Sequence, residues 1–309
     1  MRRGRRILVT GANGFVGQAL CTALEVQGDR VIRATREAVG AIGPGTDWRP
    51  LLLGIDSVVH LAARAHVMND TAADPLAEYR HINTEGTRHL AEQAAASGVR
   101  RMVYLSTVKV HGEATQGTPF RADDPLSPSD PYGVSKMEAE ECLGDIGART
   151  GLETVILRPP LVYGPRVRAN FLALMHLCNR GLPLPLGRID NRRSLVYLGN
   201  LVRAIRLVLD HPAAAGGTYL ISDGEDLSTA DLVRKIAKVL GRPARLVPLP
   251  TPFLTLAGRA TGKQDRVARL LQSLTIDHGK LTADLNWTPP FTVDQGLAEV
   301  AAWYRRTHG

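Results

Sequence analysis

The octapeptide TGANGFVG, residues 10–17, follows a short apolar run and decides the fold of this chain. Its three glycines lie where a first predicted strand turns into a first predicted helix. Gly11 permits a tight turn, Gly14 lets backbone N–H groups approach a pyrophosphate, and Gly17 lets the helix pack closely against the strand. We therefore predict that a dinucleotide binds here, with its pyrophosphate facing the amino end of the helix.

The first half of the chain alternates short β-branched runs with longer helical stretches, which is typical of a parallel sheet covered on both faces. The predicted strands are residues 7–11, 30–35, 57–63, 101–107 and 154–160. The predicted helices between them span about 14–27, 74–98 and 130–151. The pattern predicts the α/β class, with a Rossmann-like doubly wound parallel sheet.

After Pro165 the composition of the sequence changes, and proline and glycine interrupt its segments. Helices are predicted there near residues 199–210 and 228–240. We assign residues 1–165 to a dinucleotide-binding domain, to which the chain returns near 194–212, and residues 166–309 to a smaller α/β substrate-binding lobe. A cleft between the carboxyl edge of the sheet and such a lobe is where these folds bind ligands.

The 309-residue chain is 44% hydrophobic and carries a formal net charge of +8. No apolar run approaches the roughly 20 residues that a membrane span needs, so we expect a cytoplasmic protein without one. The three cysteines lie far apart, which suggests neither a disulfide framework nor a thiolate metal site. The cations are dispersed beyond the amino terminus and no aromatic platform accompanies them, which favours a small anionic ligand over nucleic acid.

The end of the second predicted strand distinguishes the two nicotinamide cofactors, because a carboxylate there binds a ribose 2′-hydroxyl whereas an arginine accommodates a 2′-phosphate. Arg36 stands at this tip, and no acid precedes it in the strand. NADP(H) is therefore favoured over NAD(H). The alternative is that Arg36 lies over the adenine or is solvated. Asp47 is a candidate for binding the adenine amino group, with a solvated loop position as the alternative.

Tyr132 and Lys136 lie four residues apart at the start of a predicted helix, so they share one face, one turn apart. A free tyrosine titrates near ~10, and an adjacent ammonium lowers that pKa towards the range of acid–base catalysis. The third partner is expected at the end of the preceding strand, where STVKVHG, residues 106–112, places the hydroxyl of Thr107 at the same sheet edge. The three side chains together predict an active site.

In this order, the motifs resemble those of the extended short-chain dehydrogenase/reductase family of nucleotide-sugar epimerases, dehydratases and reductases. The resemblance covers nearly the whole chain and includes HLAA (60–63), NTEGT (83–87), YGVSK (132–136), LRPPLVYGP (157–165), RRSLVYLGN (192–200) and DHGKLTADLNWTPP (277–290). It implies a nicotinamide cofactor and a nucleotide-sugar substrate. It also implies a homodimer in which the helices near 75–97 and 131–150 form a four-helix bundle; alternatively, their alanine-rich faces pack against the sheet.

The resemblance implies roles for residues at matching positions. It selects Thr107, rather than Ser106, as the catalytic hydroxyl. Tyr132 becomes the acid–base group, and Lys136 both polarises it and binds the hydroxyls of the nicotinamide ribose. Further cofactor contacts are expected from Asn13, Phe15, Val16, Leu61, Ala62, Ala63 and Pro159.

On the substrate side, Arg193 matches the arginine that grips the pyrophosphate of the substrate. Lys109 and His111 are expected to contact the sugar or its phosphates, with a solvated Lys109 as the alternative. Asn83 matches a helix asparagine associated with active-site hydrogen bonding; the alternative is a buried amide that stabilises a helix kink.

Other substrate contacts have weaker signals. They are His66, Val67 and Met68 after the third strand, Asn170 and Phe171 at the start of the second lobe, and Arg266 or Arg269 as a second cation for the pyrophosphate. The alternatives are a loop at the lobe interface for the first three and solvated helix charges for the two arginines. The acidic pair that often follows the RRSLVYL strand in this family is Gly199-Asn200 here, which weakens any role for that turn.

The dehydratases of this family resemble one another in having Thr-Asp-Glu at the strand end, whereas the same positions here read Thr107, Val108 and Lys109. An apolar residue and a cation cannot replace the two acids that eliminate water, so 4,6-dehydration is disfavoured. The wider motifs are similar to those of reductases that convert UDP-4-keto-6-deoxy-N-acetylhexosamines to UDP-N-acetylquinovosamine or its C4 epimer for surface polysaccharides. We therefore expect a sugar-nucleotide 4-ketoreductase.

Two alternatives stay open. A UDP-hexose or UDP-N-acetylhexosamine 4-epimerase needs the same three side chains but keeps NAD⁺ bound, and Arg36 argues against it. A non-catalytic dinucleotide sensor predicts loss of Tyr132 or Lys136, whereas both are present.

Overall fold

The computed structural model describes residues 4–65, 74–262 and 264–308. Within these ranges the strands are β1 (Arg6–Thr10), β2 (Arg30–Ala34), β3 (Ser57–His60), β4 (Arg101–Leu105), β5 (Glu153–Arg158), β6 (Leu161–Tyr163), β7 (Leu195–Tyr197) and β8 (Thr218–Leu220). The α-helices are α1 (Phe15–Val26), α2 (Arg36–Val39), α3 (Arg49–Leu52), α4 (Pro75–Tyr79), α5 (Gly86–Ala96), α6 (Pro131–Thr150), α7 (Ala169–Asn179), α8 (Leu198–Asp210), α9 (Thr229–Leu240), α10 (Thr251–Ala260), α11 (Gln264–Leu271), α12 (Gly279–Leu285) and α13 (Val293–His308).

Six of the strands form one sheet in the order β2-β1-β3-β4-β5-β8, and every neighbouring pair is parallel. Successive side chains of β1 point to opposite faces, as the pleat requires. Ile7 and Val9 pack in a core that α1 and α8 cover, whereas Leu8 packs with Leu90 of α5 and Leu143 of α6. Helices therefore cover both faces, and the predicted α/β class with a doubly wound parallel sheet is confirmed.

The third strand is shorter than the predicted span of 57–63, because it ends at His60. The next two backbone N–H groups, of Leu61 and Ala62, donate hydrogen bonds to the hydroxyl of Thr10 at 3.2 Å instead of pairing with a strand. Because these N–H groups bond to a side chain, the chain leaves the hydrogen-bond ladder of the sheet at its carboxyl edge.

The helical stretch predicted over 74–98 contains a wider turn. It begins at α4, where the side chain of Asp74 accepts a hydrogen bond from the N–H of Ala77, and continues through a π-helical segment, Arg80–Glu85, into α5. A π turn inserts one extra residue into a helix and often marks a functional site. Here it carries the buried side chain of Asn83.

The remaining elements build a second core. Strands β6 and β7 pair in parallel as a separate two-stranded sheet. Side chains from α7, α9 and α13 pack around it, with Phe171, Ile236 and Val300 buried there. After β7 the chain returns to the main sheet and its helices twice. The helix α8 packs on α1, and β8 extends the main sheet beside β5.

The alanine-rich face of α5 lies inside the protein. Leu90, Ala91 and Ala94 are fully buried in the core that covers the main sheet, as the alternative interpretation of this face expects. The homodimer through a four-helix bundle stays a prediction. Among the helices described, none combines the length and the apolarity needed to cross a bilayer.

Gly17 tolerates no side chain, because a Cβ there would lie 2.2 Å from the carbonyl oxygen of Gly11 and 2.8 Å from the Cα of Ala12. Both neighbours are backbone atoms, so we expect Gly17→Ala to lower the free energy of unfolding by about 1–3 kcal/mol in urea titrations. Gly144→Ala is the matched control. Gly144 lies within α6 with no atom near its Cβ position, so this change should add about 0.5–1 kcal/mol. Equal effects of the two substitutions would contradict the close contact.

Candidate active site

The carboxyl edge of the sheet opens between β1 and β3, where the chain leaves in opposite directions from neighbouring strands. Such switch points are where open α/β sheets bind ligands. Gly11 turns the chain here with a φ of 66°, in the left-handed region. A Cβ at this position would lie 2.8 Å from the backbone N of Ala62, so only glycine allows the two strand-end segments to meet.

The amino end of α1 faces this crevice. Gly14 is its N-cap and makes no side-chain capping hydrogen bond, so the first-turn N–H groups are available to an anion. Asn13 is exposed beside it, and Phe15 and Val16 are half-buried in the first turn. On the opposite wall, residues 61–63 are also half-buried. Gly11, Gly14 and Gly17, which we call the glycine cradle, and the amino end of α1 fit the pyrophosphate of a dinucleotide.

A buried hydrogen-bond chain holds the crevice in shape. The hydroxyl of Thr10 lies 2.6 Å from Nδ1 of His60, and Nε2 of His60 lies 3.0 Å from the hydroxyl of Thr87. Because Thr10 already accepts two N–H groups, its single proton goes to Nδ1, which leaves the His60 proton on Nε2. Burial, with a smaller effect from Lys136, lowers the pKa of His60 to about 3, so the ring is neutral.

Two expected cofactor residues lie on the surface. Arg36 is exposed at the start of α2, directly beyond the carboxyl end of β2. Asp47 is also exposed, and its two carboxylate oxygens lie 2.7 and 3.0 Å from nitrogens of Arg49. Asp47 therefore occupies a solvated loop position with a neighbouring cation beside its carboxylate, and the adenine contact stays a prediction.

The segment that carries Thr107 is fastened to the end of β5. The N–H of Ser106 donates to the carbonyl of Leu157 at 2.8 Å, and the N–H of Val108 donates to the carbonyl of Pro159 at 3.0 Å. Thr107 lies between them and caps a short 3₁₀ turn, accepting the N–H of Lys109 at 3.3 Å. Pro159, expected to contact the cofactor, therefore also holds the catalytic segment through its carbonyl group.

Tyr132 and Lys136 lie in the first two turns of α6, which packs against the 3₁₀ turn after Thr107. Tyr132 is half-buried and meets the ring of Tyr79 edge-on at 6.1 Å. Lys136 is almost fully buried, and its Nζ lies 3.9 Å from the ring centroid of Tyr104. The sequence analysis did not predict a role for Tyr104. The feature that could have indicated it is an aromatic residue at the end of the strand that precedes Thr107.

Burial controls the proton affinity of this pair. It lowers the pKa of Lys136 to about 7, against the opposing attraction of Glu140. It also raises the pKa of Tyr132 above its usual value, and the charge of Asp130 and the neighbouring Tyr79 add to this rise. We expected Lys136 to lower the pKa of Tyr132; among the protein groups alone, the cost of burying a phenolate is larger.

The ammonium of Lys109 forms ion pairs with two acids. Its Nζ lies 2.6 Å from a carboxylate oxygen of Glu113 and also contacts the carboxylate of Asp130. The other oxygen of Asp130 accepts the N–H of Gly133 at 2.6 Å and so caps α6. Because two acids hold the ammonium, the solvated alternative does not describe Lys109, and the substrate contact stays a prediction. Lys109 ties the segment of Thr107 to the helix of Tyr132.

His111 does not lie where the sequence analysis predicted, because its side chain is buried beneath the site. Its Nε2 accepts a hydrogen bond from Arg158 at 2.9 Å, and its ring stacks on Phe120 at 5.3 Å. Arg158 in turn pairs with the buried carboxylate of Glu140 at 2.6 Å. Burial, and then the charge of Arg158, lower the pKa of His111 to about 4. A neutral, enclosed imidazole cannot bind substrate phosphates, so this assignment is corrected.

Asn83 fastens the segment after β3 to α6. Its side-chain nitrogen donates to the carbonyl of Arg64 at 3.1 Å and to the hydroxyl of Ser135 at 3.0 Å. Its side-chain oxygen accepts the N–H of Arg64 at 2.8 Å. Both interpretations of Asn83 meet in this geometry, because the amide sits in the π turn and also positions the helix of Tyr132 and Lys136.

Arg193 lies at the border of the second lobe. One terminal nitrogen of its guanidinium donates to the carbonyls of Arg269 and Gln272, at 3.0 and 3.1 Å. Burial and the charge of Arg269 lower its pKa, whereas the charge of Glu113 opposes them.

The other predicted substrate residues are scattered. Asn170 is exposed at the start of α7, whereas Phe171 is buried and stacks on Tyr163 at 5.5 Å. Arg269 is exposed. The predictions for His66, Val67, Met68 and the side chain of Arg266 lie outside the described residues.

The turn after β7 has a structural role that the sequence did not reveal. Asn200 is fully buried and donates to the carboxylate of Asp223 at 2.7 Å and to the carbonyl of Phe291 at 2.8 Å. The hydroxyl of Tyr163 donates to the same carboxylate at 2.8 Å. An amide that joins three segments explains why an acid is not needed at this turn. In the part of the chain described, no group of acidic, histidine or cysteine side chains is arranged to hold a metal ion.

Comparison with known proteins agrees with this geometry. Residues 7–222 match the NAD dependent epimerase/dehydratase family, and the match includes every residue of the glycine cradle and of the Thr107, Tyr132 and Lys136 site. The chain is 44% identical over 310 residues to UDP-glucose 4-epimerase of Vibrio cholerae, covering 96% of this chain and 94% of that protein.

Two further relatives extend the comparison. The chain is 29% identical over 313 residues to N-acetyl-alpha-D-glucosaminyl-diphospho-ditrans,octacis-undecaprenol 4-epimerase of Escherichia coli O157:H7, covering 94% of this chain and 92% of that protein. Among solved structures, MoeE5 in complex with UDP-glucose and NAD is similar with a TM-score of 0.77 at 26% identity, covering 98% of this chain and 100% of that one.

The buried pair of Arg158 and Glu140 gives a stability test of the network under the site. Arg158→Met leaves a carboxylate buried without its partner, so we expect a loss of about 3–5 kcal/mol in the free energy of unfolding. The double variant Glu140→Leu/Arg158→Met removes both charges and should regain most of that loss. Urea titrations compare the two. A double variant as unstable as Arg158→Met alone would show that the ion pair is not the origin of the effect.

Proposed function

Because the chain belongs to the NAD-dependent epimerase/dehydratase family, we propose that it is a 4-epimerase of a UDP-hexose or UDP-N-acetylhexosamine. The observation that carries the proposal is the 44% identity to UDP-glucose 4-epimerase over 96% of the chain, together with the presence of Thr107, Tyr132 and Lys136 in the sequence. The second relative compared is also a 4-epimerase. These relatives support the epimerase alternative rather than the 4-ketoreductase that the motifs favoured.

The reaction inverts one sugar carbon. The C4–H and O4–H bonds break to give a 4-keto sugar, and both re-form after the hydride returns to the opposite face of the ring. Bound NAD supplies the reversible hydride acceptor for this exchange. We propose NAD rather than NADP, because MoeE5 binds NAD. The glycine cradle and the amino end of α1 would hold its pyrophosphate.

Tyr132 is the group that moves the proton. It takes the proton of the 4-hydroxyl as the sugar is oxidised and returns it as the carbonyl is reduced, so the same phenol serves both directions. Lys136 is buried one helical turn away, where its positive form stabilises the phenolate. Thr107 lies at the facing strand end and hydrogen-bonds the same sugar oxygen, which holds C4 in place.

The second lobe supplies the substrate specificity in this proposal. Arg193 is the cation that we assign to the substrate, and two carbonyl groups orient its guanidinium. A fixed guanidinium of this kind suits the diphosphate of a nucleotide sugar. Because hydride transfer and proton transfer need only the first domain, the diphosphate contact decides which substrates are held long enough to react.

We expect the purified enzyme to interconvert UDP-glucose and UDP-galactose without added cofactor, as followed by NMR of the anomeric protons. Tyr132→Phe should lower kcat by about 10²–10⁴-fold, because the acid–base group is lost. Both proteins should release NAD on denaturation, which shows that the cofactor site is intact. Oxidation of NADPH by a 4-keto sugar nucleotide, without any interconversion of C4 epimers, would instead establish the reductase.

The ion pair of Lys109 with Asp130 gives a second kinetic test. Lys109→Gln leaves the charge of Asp130 uncompensated beside Tyr132, so the pKa of the phenol rises further. A rise of about 0.5–1 unit lowers kcat about three- to tenfold on the acid side of the pH profile and moves that limb to higher pH.

Two variants control this experiment. Lys109→Arg keeps the charge and should restore the pH profile. Lys280→Gln removes a lysine of α12 that pairs with Asp284 at 2.9 Å, and it should leave the profile unchanged. A Lys109→Gln enzyme with a raised KM but an unshifted pH profile would refute the electrostatic role.

A further inference from the structure

The outward side of α10 is apolar. Helical spacing places Phe253, Leu256 and Ala260 on one side, and all three are exposed. The side chains of Phe253 and Leu256 stand out, because these residues are 60% and 65% exposed. The opposite side is held by the protein, since Gly258 is buried where a Cβ would lie 2.8 Å from the side chain of Val267 on α11.

The side of α10 that faces the protein is also apolar, because Leu254 is half-buried against the core of the second lobe. The helix therefore carries apolar side chains on its outward side as well, where a surface helix is usually polar. Val247, 45% exposed, adds a third large apolar side chain just before the helix. Singly scattered apolar residues on a surface need no explanation, but a cluster on one short stretch marks a binding surface.

The charge of the surrounding chain identifies the partner. Residues 239–262 contain three arginines and neither aspartate nor glutamate. Arg242, Arg245 and Arg259 are all exposed, and in the described ranges none of them forms an ion pair with a carboxylate. An apolar helix side flanked by unpaired cations is the composition of a helix that lies in the interface of an anionic membrane.

We propose that α10 docks this protein on an anionic lipid surface, with Phe253 and Leu256 among the acyl chains and the three arginines against the phosphates. A nucleic acid would use the arginines but leave both large apolar side chains in water. A second copy of the chain would bring like charges together, because a two-fold interface sets each patch against itself.

The docked surface belongs to the lobe that carries Arg193. The helix α11, on which α10 packs, contains Arg269 in its last turn, and the carbonyl of Arg269 accepts a hydrogen bond from Arg193. Docking therefore holds the proposed diphosphate-binding lobe at the membrane surface, whereas the glycine cradle lies in the other domain.

Vesicle co-sedimentation of the full-length protein tests the proposal without any turnover, so its outcome is independent of the sugar that the enzyme converts. We expect binding to vesicles of phosphatidylglycerol and phosphatidylcholine in equal parts, and not to phosphatidylcholine alone. Phe253→Ser/Leu256→Ser should weaken binding about tenfold or more. Arg245→Gln and Arg259→Gln should each weaken it roughly fivefold, and added salt should act in the same direction.

Val26→Ser/Leu53→Ser is the matched control, because these two side chains are 82% and 72% exposed elsewhere on the surface. It should bind vesicles as the wild type does, and thermal unfolding should show all variants folded. The proposal fails if the wild type does not bind anionic vesicles, or if Phe253→Ser/Leu256→Ser binds them equally well. It also fails if that variant halves the mass in light scattering, which would make α10 a subunit interface.

Discussion

The close approach of three backbone segments at the end of β1 is the constraint on which the rest of the structure depends. Gly11 leaves room for the backbone of Ala62, and Gly17 leaves room for the carbonyl of Gly11. These contacts admit no Cβ, so the first helix begins against the strand and points its free N–H groups into the switch-point crevice. Thr10 then draws the end of β3 to the same place through its hydroxyl. The cofactor site follows from this geometry.

The catalytic side chains depend on a second set of ties, which join three segments distant in sequence. Lys109 and Asp130 link the strand-end segment to the cap of α6, and Asn83 links the segment after β3 to the same helix. These bonds hold α6 against the 3₁₀ turn after Thr107, and burial shifts the pKa values of Tyr132 and Lys136 in opposite directions. The same packing therefore sets both the positions of these two side chains and their pKa values.

Local patterns predicted the strands, the capped helices and the positions of Thr107, Tyr132 and Lys136, because these depend on neighbours a few residues away. The sequence did not predict the surroundings of Lys109 and His111, for a common reason. Each of these side chains has a partner that lies far from it in the sequence: Asp130 and Arg158, respectively. The choice of a reductase over an epimerase had a different origin, since both reactions use the same three side chains and the motif cannot separate them.

The sequence by itself determined the α/β class, the glycine cradle, the helix ends and the residue types at the catalytic positions. Backbone sterics and hydrophobic periodicity act over one or two turns, so these features can be derived from adjacent residues. Only the tertiary structure decided which polar groups face the cleft, which form ion pairs, and which are buried beneath the cleft. A hydrogen bond or an ion pair needs two groups within about 3 Å, and that distance is set by the packing of segments far apart in the chain.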